Sequence, residues 1–253
     1  MPGYLFAFPP MTLLALCATL FIAALVRGFA GFGAGMIFMP IAAALIAPPV
    51  AAASFLILDG ILALPFIIKA IKQCDWRTVL PAVCSAVIFV QAGTWLLATM
   101  DVLVLRWVLF SIITALLALL ISGWTYSGRA GTGISLGVGA VAGFLGGISQ
   151  TSGPPVIAFW LSSAKEPAIV RANLIMFFAL SSIGTFAAYV LHGFFTADVF
   201  ALLIYAVPLY AIGLFLGSRL FGKAKPIYYR YTAYALIALA AITSMPALDG
   251  ILR

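Results

Sequence analysis

Four consecutive polar side chains, Ser149 to Ser152, form the group in this sequence best suited to chemistry. They supply three hydroxyls and one amide, and a glycine and two prolines follow directly. Neutral donors of this kind hold the compact charge of an oxyanion by hydrogen bonds and release it again, because no opposite charge traps it. The segment therefore predicts a reversible anion-binding site made of Ser149, Gln150, Thr151, Ser152, Gly153 and Pro154.

Groups for acid–base or metal chemistry are scarce. The chain has six acidic residues and one histidine, and among the acids only Asp59 lies inside an apolar run. A metal site or an acid–base pair needs several convergent ligands. We therefore expect no enzyme activity, no metal and no cofactor.

Composition sets the class of protein. The 253 residues are 65% hydrophobic and 8% charged, with a mean hydropathy of +1.24, whereas a soluble domain carries about 25% charged residues. We predict a polytopic membrane protein in the lipid bilayer, with one membrane transport domain over residues 1–253 and an N-terminus that lacks the basic start of a secretory signal. The net charge of +7 is spread without basic runs, so no nucleic acid is expected as a partner. Cys17 and Cys84, in apolar runs, are interpreted as small buried hydrophobes.

Two charged residues lie near or within predicted crossings. Asp59, in SFLILDGILALPF, is either the candidate for proton coupling or the partner of a buried cation; the alternative is a carboxylate that bonds a neighbouring helix. Arg27 is either that cation or a direct anion ligand, and the alternative is a side chain that extends to the membrane interface.

The polar quartet lies in a stretch rich in glycine and proline, from Val141 to Leu161, inside a long apolar run. Broken backbone at bilayer depth is tolerated only where it is buried in protein or lines a wet cavity, so the break predicts a site. A second copy lies 115 residues earlier, from Val26 to Ile41, and adds Gly31, Gly33 and Gly35 to the predicted site. Later landmarks repeat with a shift of 124, as Gly93 and Gly217 do. Such repeats are typical of secondary transporters.

Hydropathy predicts six crossings of about twenty residues and two longer runs, 11–46 and 131–163. The positive-inside rule places four basic loops in the cytoplasm only if each long run enters and returns. Each run is then a hairpin or two closely packed full crossings, the N-terminus is outside, and the fold is all-α with two inverted repeats, 11–125 and 131–253. Each repeat is a broken or hairpin helix followed by three transmembrane helices. The basic residues are Lys69, Lys72, Arg77, Arg129, Lys165, Arg171, Arg219, Lys223, Lys225 and Arg230.

The hairpin arms, 131–147 and 152–163 in the second repeat, are short for a full span, so the tips are expected to stop within the membrane. Thr151 or Ser152 would cap the second arm, whose N–H groups and positive dipole end favour an anion. Asn173 opens the next crossing and is included in the site as a residue that would face the tip.

Two glycine motifs have simpler interpretations. GFAGFGAG (Gly28–Gly35) has no preceding strand for a dinucleotide site, and GSRLFGKA (Gly217–Ala224) lacks the hydroxyl that a phosphate loop needs after its lysine. Glycines four residues apart more often indicate close helix packing. We assign packing to Gly213 and Gly217, and both packing and binding to the glycines of the two breaks.

At these residues the chain resembles the TauE/SafE family of anion permeases. The resemblance rests on GFGAGMIFMPI (Gly31–Ile41), on GISQTSGPPVIAFWL (Gly147–Leu161) and on VRANLIMFF (Val170–Phe178). It implies transport of sulfite, sulfonates or sulfoacetate across a bacterial inner membrane. Phe32 and Ala34 interrupt the family's glycine run, which leaves the first half-site and the identity of the anion open.

The sequence thus favours a secondary carrier of a small organic or inorganic anion that works by alternating access. A passive anion channel and a membrane-embedded partner subunit of a larger complex are the alternatives. The particular anion, the direction, the coupling ion and the oligomeric state, a homo-oligomer included, stay open.

Overall fold

The computed structural model describes residues 8–30, 33–124, 126, 131–161, 166–220 and 226–249. This part of the chain contains ten α-helices, a short 3-10 helix (Pro246–Leu248) and no strand, which confirms the all-α prediction. The helices are α1 (Pro10–Ala30), α2 (Ala34–Leu45), α3 (Pro48–Ala70), α4 (Trp76–Thr99), α5 (Val102–Ser122), α6 (Thr132–Ser149), α7 (Gly153–Leu161), α8 (Pro167–Leu191), α9 (Ala197–Leu220) and α10 (Pro226–Ser244).

Six of the described helices, α1, α4, α5, α6, α8 and α9, are long and apolar enough to cross a membrane. This confirms the prediction of a polytopic membrane protein. Both long apolar runs are broken, the first into α1 and α2 and the second into α6 and α7. The inversion of the two repeats stays a prediction.

Local chemistry explains where several helices begin. Four of them start at a proline, whose fixed φ suits the first helical position and whose missing N–H would have no partner there. Asp101 caps α5, because its carboxylate accepts hydrogen bonds from the N–H groups of Leu103 at 2.9 Å and Val104 at 3.3 Å.

The chain divides into two compact units. Unit 1 consists of residues 1–58, 100–118 and 194–253, and unit 2 consists of residues 59–99 and 119–193. Each unit therefore draws on both predicted repeats, and neither repeat is a compact unit by itself.

In unit 2, α4 and α6 lie parallel and almost backbone to backbone. A Cβ added to Gly139 or Gly143 would overlap the carbonyl oxygen of Ala82 or Ala86, and one added to Gly93 would overlap that of Phe144. Because the contacts advance together along both helices, α4 and α6 begin at the same end of the unit. Cys84, expected to be buried, is exposed on α4, so that prediction was wrong; its place in an apolar run is equally compatible with a lipid-facing position.

In unit 1, α1 and α9 make the matching contact. A Cβ on Gly28 would overlap the carbonyl oxygen of Leu214, and one on Gly217 would overlap that of Leu25. The predicted packing role of Gly213 and Gly217 is confirmed. Under the sequence repeat, α1 corresponds to α6 and α9 to α4, so the two units are built around equivalent helix pairs.

An ion pair closes one end of unit 1. The Arg106 guanidinium donates to both carboxylate oxygens of Asp249, at 2.6 and 2.8 Å, and to the carbonyl oxygen of Ser244 at 3.1 Å. The start of α5 and the end of α10 therefore lie at the same end of the unit, as the predicted topology requires.

Candidate functional site

The segment α6–α7 folds back on itself within unit 2. Gly147, near the end of α6, lies against Gly93 in the last third of α4. Near the end of α7, the Trp160 Nε1–H donates to Thr78 Oγ1, in the first turn of α4, at 3.2 Å. α7 therefore returns to the end of the unit where α4 and α6 begin.

The two arms differ in length. α7 has nine residues, about 14 Å of helix, and cannot cross a hydrocarbon core about 30 Å thick. α6 has 18 residues, about 27 Å, and is longer than the predicted arm. The structure thus shows a hairpin with one arm of nearly full crossing length and one short arm.

The hairpin tip lies near the far ends of α4 and α8. Gly147 is beside Gly93 and Thr94, and α4 continues only to Thr99, about 8 Å further. The Gln150 Nε2 donates to the hydroxyl of Tyr189, two residues before the end of α8, at 2.9 Å. The tip is therefore closer to the ends of these helices than to their middles.

Two of the predicted anion donors at the tip bond within the protein. The hydroxyls of Ser149 and Thr151 are buried and hydrogen-bond to each other. Ser149 also donates to the carbonyl oxygen of Leu145 at 2.8 Å. These hydroxyls stiffen the tip in this conformation. Ser152 lies half-buried beside Gly146.

Gln150 is held in a strained backbone conformation. Its φ of 55° is left-handed, and among the described residues no other non-glycine residue has a positive φ. Such a conformation costs about 1–2 kcal/mol for a residue with a β-carbon. Its side chain is fixed through Tyr189, whose hydroxyl donates to the carbonyl oxygen of Gly147 at 2.9 Å. Strain of this kind is often kept at functional positions.

The start of α7 offers fewer backbone donors than predicted. Gly153 is its first residue, and Pro154 and Pro155 have no N–H. Of the four N–H groups that open this helix, those of residues 154 and 155 are missing, and only those of Ser152 and Gly153 are present. Anion binding here therefore depends more on side chains than the sequence suggested.

Two residues that sequence reasoning missed lie at this tip. Tyr189 is fully buried and orients Gln150. Thr94 is also fully buried, and its Oγ1 is one of the buried side-chain atoms without a hydrogen-bond partner in the described part of the chain. The only signal in the sequence is a polar atom in an apolar helix, which many non-functional positions share.

The first hairpin tip, in unit 1, is built differently. Gly33 precedes α2 with a left-handed φ of 94°, and Gly35 is buried in the first turn of α2. Arg27 is half-buried in the last turn of α1. Gly31 lies outside the described residues, as do Arg129, Lys165, Lys223 and Lys225.

Asp59 and Asn173 lie on the first full helix after each hairpin. Asp59 is half-buried and is the twelfth of the 23 residues of α3, at the middle of the helix. It belongs to unit 2 and Arg27 to unit 1, and their pairing stays a prediction.

Asn173 does not face the second tip, contrary to expectation. Its Oδ1 accepts a hydrogen bond from the N–H of Asp75, just before α4, at 2.7 Å. On α8 it precedes Tyr189 by 16 residues, about 24 Å. Asn173 lies in the second turn of α8, near the end of the helix that the predicted topology places at the cytoplasm. The tip lies near the other end of α8, at Tyr189, so the two are separated by most of the helix.

Comparisons with known proteins match almost the whole chain. The family model described as "Sulfite exporter TauE/SafE" matches residues 16–244, which include both hairpins. The probable sulfite/organosulfonate exporter TauE of Cupriavidus necator is 29% identical over 238 residues, which cover 87% of this chain and 89% of that protein. No solved structure matches. As its two glycine- and proline-rich motifs predicted, the chain belongs to the TauE/SafE family of sulfite exporters.

Proposed function

We propose that this protein exports a sulfur-containing anion, sulfite or an organosulfonate such as sulfoacetate, across a bacterial inner membrane by alternating access. The observation that carries the proposal is the family match over residues 16–244, because it includes both broken helices. A relative covered along 89% of its length is named an exporter of the same anions. The family consists of transporters, which argues against an enzyme.

The second hairpin tip supplies the strongest contacts in this proposal. Gln150 offers a fixed amide on a strained turn, with the Ser152 hydroxyl and the N–H groups of Ser152 and Gly153 close by in the chain. Such neutral donors suit an anion that must leave again. The proposed substrate-binding residues are Arg27, Gly31, Gly33, Gly35, Ser149, Gln150, Thr151, Ser152, Gly153, Pro154 and Asn173.

Asp59 is the proposed proton-coupling group. A carboxylate at the middle of an apolar helix is costly unless it has a function or a partner. In the proposed topology the N-terminus is periplasmic.

Flux measurements test the proposal. Purified protein in liposomes should carry sulfite with saturation, faster when a pH gradient is imposed, and should not carry acetate. Asp59→Asn should retain sulfite binding and lose the response to the gradient. Flux that rises linearly with sulfite would instead indicate a passive channel, and no flux of any sulfur anion would contradict the proposal.

A further inference from the structure

We propose that Ser54 and Asn173 are equivalent substrate contacts, one in each repeat, which are unused in this conformation and bind anion oxygens in another conformation of the transport cycle. This inference rests on the proposed function. It concerns side chains other than those of the second hairpin tip.

The first observation is that both side chains carry a buried polar atom without a partner. Ser54 and Asn173 are 0% exposed. In the described part of the chain, four buried side-chain atoms lack a hydrogen bond, and two of them are Ser54 Oγ and Asn173 Nδ2. Such atoms cost free energy, and an alanine in place of Ser54 would avoid that cost.

The second observation is that the two positions are equivalent. α3 and α8 are the first helices after the two hairpins, and each begins at a proline. Ser54 is the seventh residue of α3 and Asn173 is the seventh residue of α8. The offset of 119 lies between the shifts of 115 and 124 that relate the flanking segments. Two of four unpartnered buried atoms therefore fall at one position of the repeat.

The geometry around Asn173 fixes what it can bind. Because Oδ1 accepts the N–H of Asp75 at 2.7 Å, the orientation of the amide is set and Nδ2 is a donor. A donor without a partner needs an acceptor, which an oxyanion supplies and a metal cation does not. The hydroxyl of Ser54 can donate in the same way.

α7 packs against the segment of α8 that contains Asn173. Ala172, Met176 and Phe177 of α8 share an apolar cluster with Trp160 of α7. α7 is short and is joined to α4 by the bond from Trp160 to Thr78. A shift of this nine-residue arm would change the packing around this segment of α8 without unfolding a full crossing.

Two substitutions separate a binding role from a structural one. Ser54→Ala removes a hydroxyl that makes no bond, so the Tm without ligand should rise or stay unchanged. Asn173→Asp keeps the acceptor for Asp75 and removes the donor. Both should weaken apparent sulfite affinity about tenfold, read from the sulfite-induced Tm shift and from the KM of flux in liposomes.

Ser85→Ala is the matched control, because Ser85 is also buried but donates to the carbonyl oxygen of Ala82 at 3.1 Å. It should lower the Tm slightly and leave sulfite affinity unchanged. Unchanged affinity in both Ser54→Ala and Asn173→Asp, with a wild type that responds to sulfite, would overturn this inference alone. A wild type that binds and carries no sulfur anion would overturn the proposed function as well. If Asn173→Asp does not fold, Ser54→Ala decides.

Discussion

At the scale of single residues, Gln150 combines backbone strain with a fixed side chain, and substitutions can separate the two. Gln150→Ala loses the bond to Tyr189 and keeps a β-carbon in the left-handed conformation. Gln150→Gly loses the same bond but relieves the strain. We expect the glycine variant to be more stable than the alanine variant by about 1 kcal/mol, measured by thermal unfolding in detergent.

Both variants should show a smaller sulfite-induced Tm shift than the wild type, because both lack the amide. Tyr189→Phe is the control for positioning, since it keeps the amide but removes the hydroxyl that orients it. A full Tm shift in both Gln150 variants would remove this residue from the binding site.

Cys74 provides a pH-dependent test of its surroundings. It lies between α3 and α4, and burial raises the pKa of its thiol to about 11, with a further contribution from the negative charge of Asp75. Only the thiolate reacts with maleimide, so labelling should be slow at pH 8 and should accelerate about tenfold per pH unit up to that pKa.

Asp75→Asn removes the neighbouring charge, which should lower the pKa of Cys74 and speed its labelling at pH 8. The measurement requires Cys17→Ala and Cys84→Ala in the background. Asp101→Asn, which changes a remote helix cap, should leave the rate unchanged. Equal rates in Asp75→Asn and its parent would contradict the contribution assigned to the charge of Asp75.

At the scale of helices, the crossing of α4 and α6 depends on the absence of β-carbons. Gly143→Ala places a methyl group on the carbonyl oxygen of Ala86 and should separate the helices, at a cost of about 1–3 kcal/mol. Gly137→Ala is the matched control on the same helix, because its Cβ would meet nothing within 4 Å. It should stabilise α6 by up to about 1 kcal/mol. Thermal unfolding that ranks the two variants equally would contradict this account of the packing.

The helices and both breaks could be predicted from the sequence because hydropathy and the positions of proline and glycine determine them. For example, the two long runs predicted over 11–46 and 131–163 are each broken into two helices, α1 and α2 in the first and α6 and α7 in the second. The first arm of the second hairpin, predicted over 131–147, is α6 (Thr132–Ser149), and within it Gly143 and Gly147 pack against α4.

The site was harder to predict because its contacts join residues far apart in the chain. The bond from Gln150 to Tyr189 spans 39 residues, and that from Asp75 to Asn173 spans 98. No local pattern encodes either of them. The sequence therefore located the polar quartet but could not show which of its groups bond within the protein.

At the scale of the whole molecule, the contacts of unit 2 bear on membrane topology. The starts of α4, α6 and α8 and the end of α7 lie at one end of this unit. Three of the four predicted basic loops are adjacent in the chain to these helix ends, which supports the prediction that they share one side of the membrane. That side should be the cytoplasm.

Labelling from each side of the membrane tests this orientation. In a background without Cys17 and Cys84, a membrane-impermeant maleimide at pH 9 should label Cys74 in inverted vesicles and leave it unlabelled in intact cells. His192→Cys, introduced together with Cys74→Ala, places the thiol at an exposed position at the opposite end of α8 and should give the reverse pattern. Because both positions belong to unit 2, the fold alone predicts that they are accessible from opposite sides of the membrane. The basic loops decide only which of the two faces the cytoplasm. Labelling of Cys74 in intact cells would contradict the predicted orientation and the periplasmic N-terminus. It would not contradict the hairpin, which does not depend on the orientation.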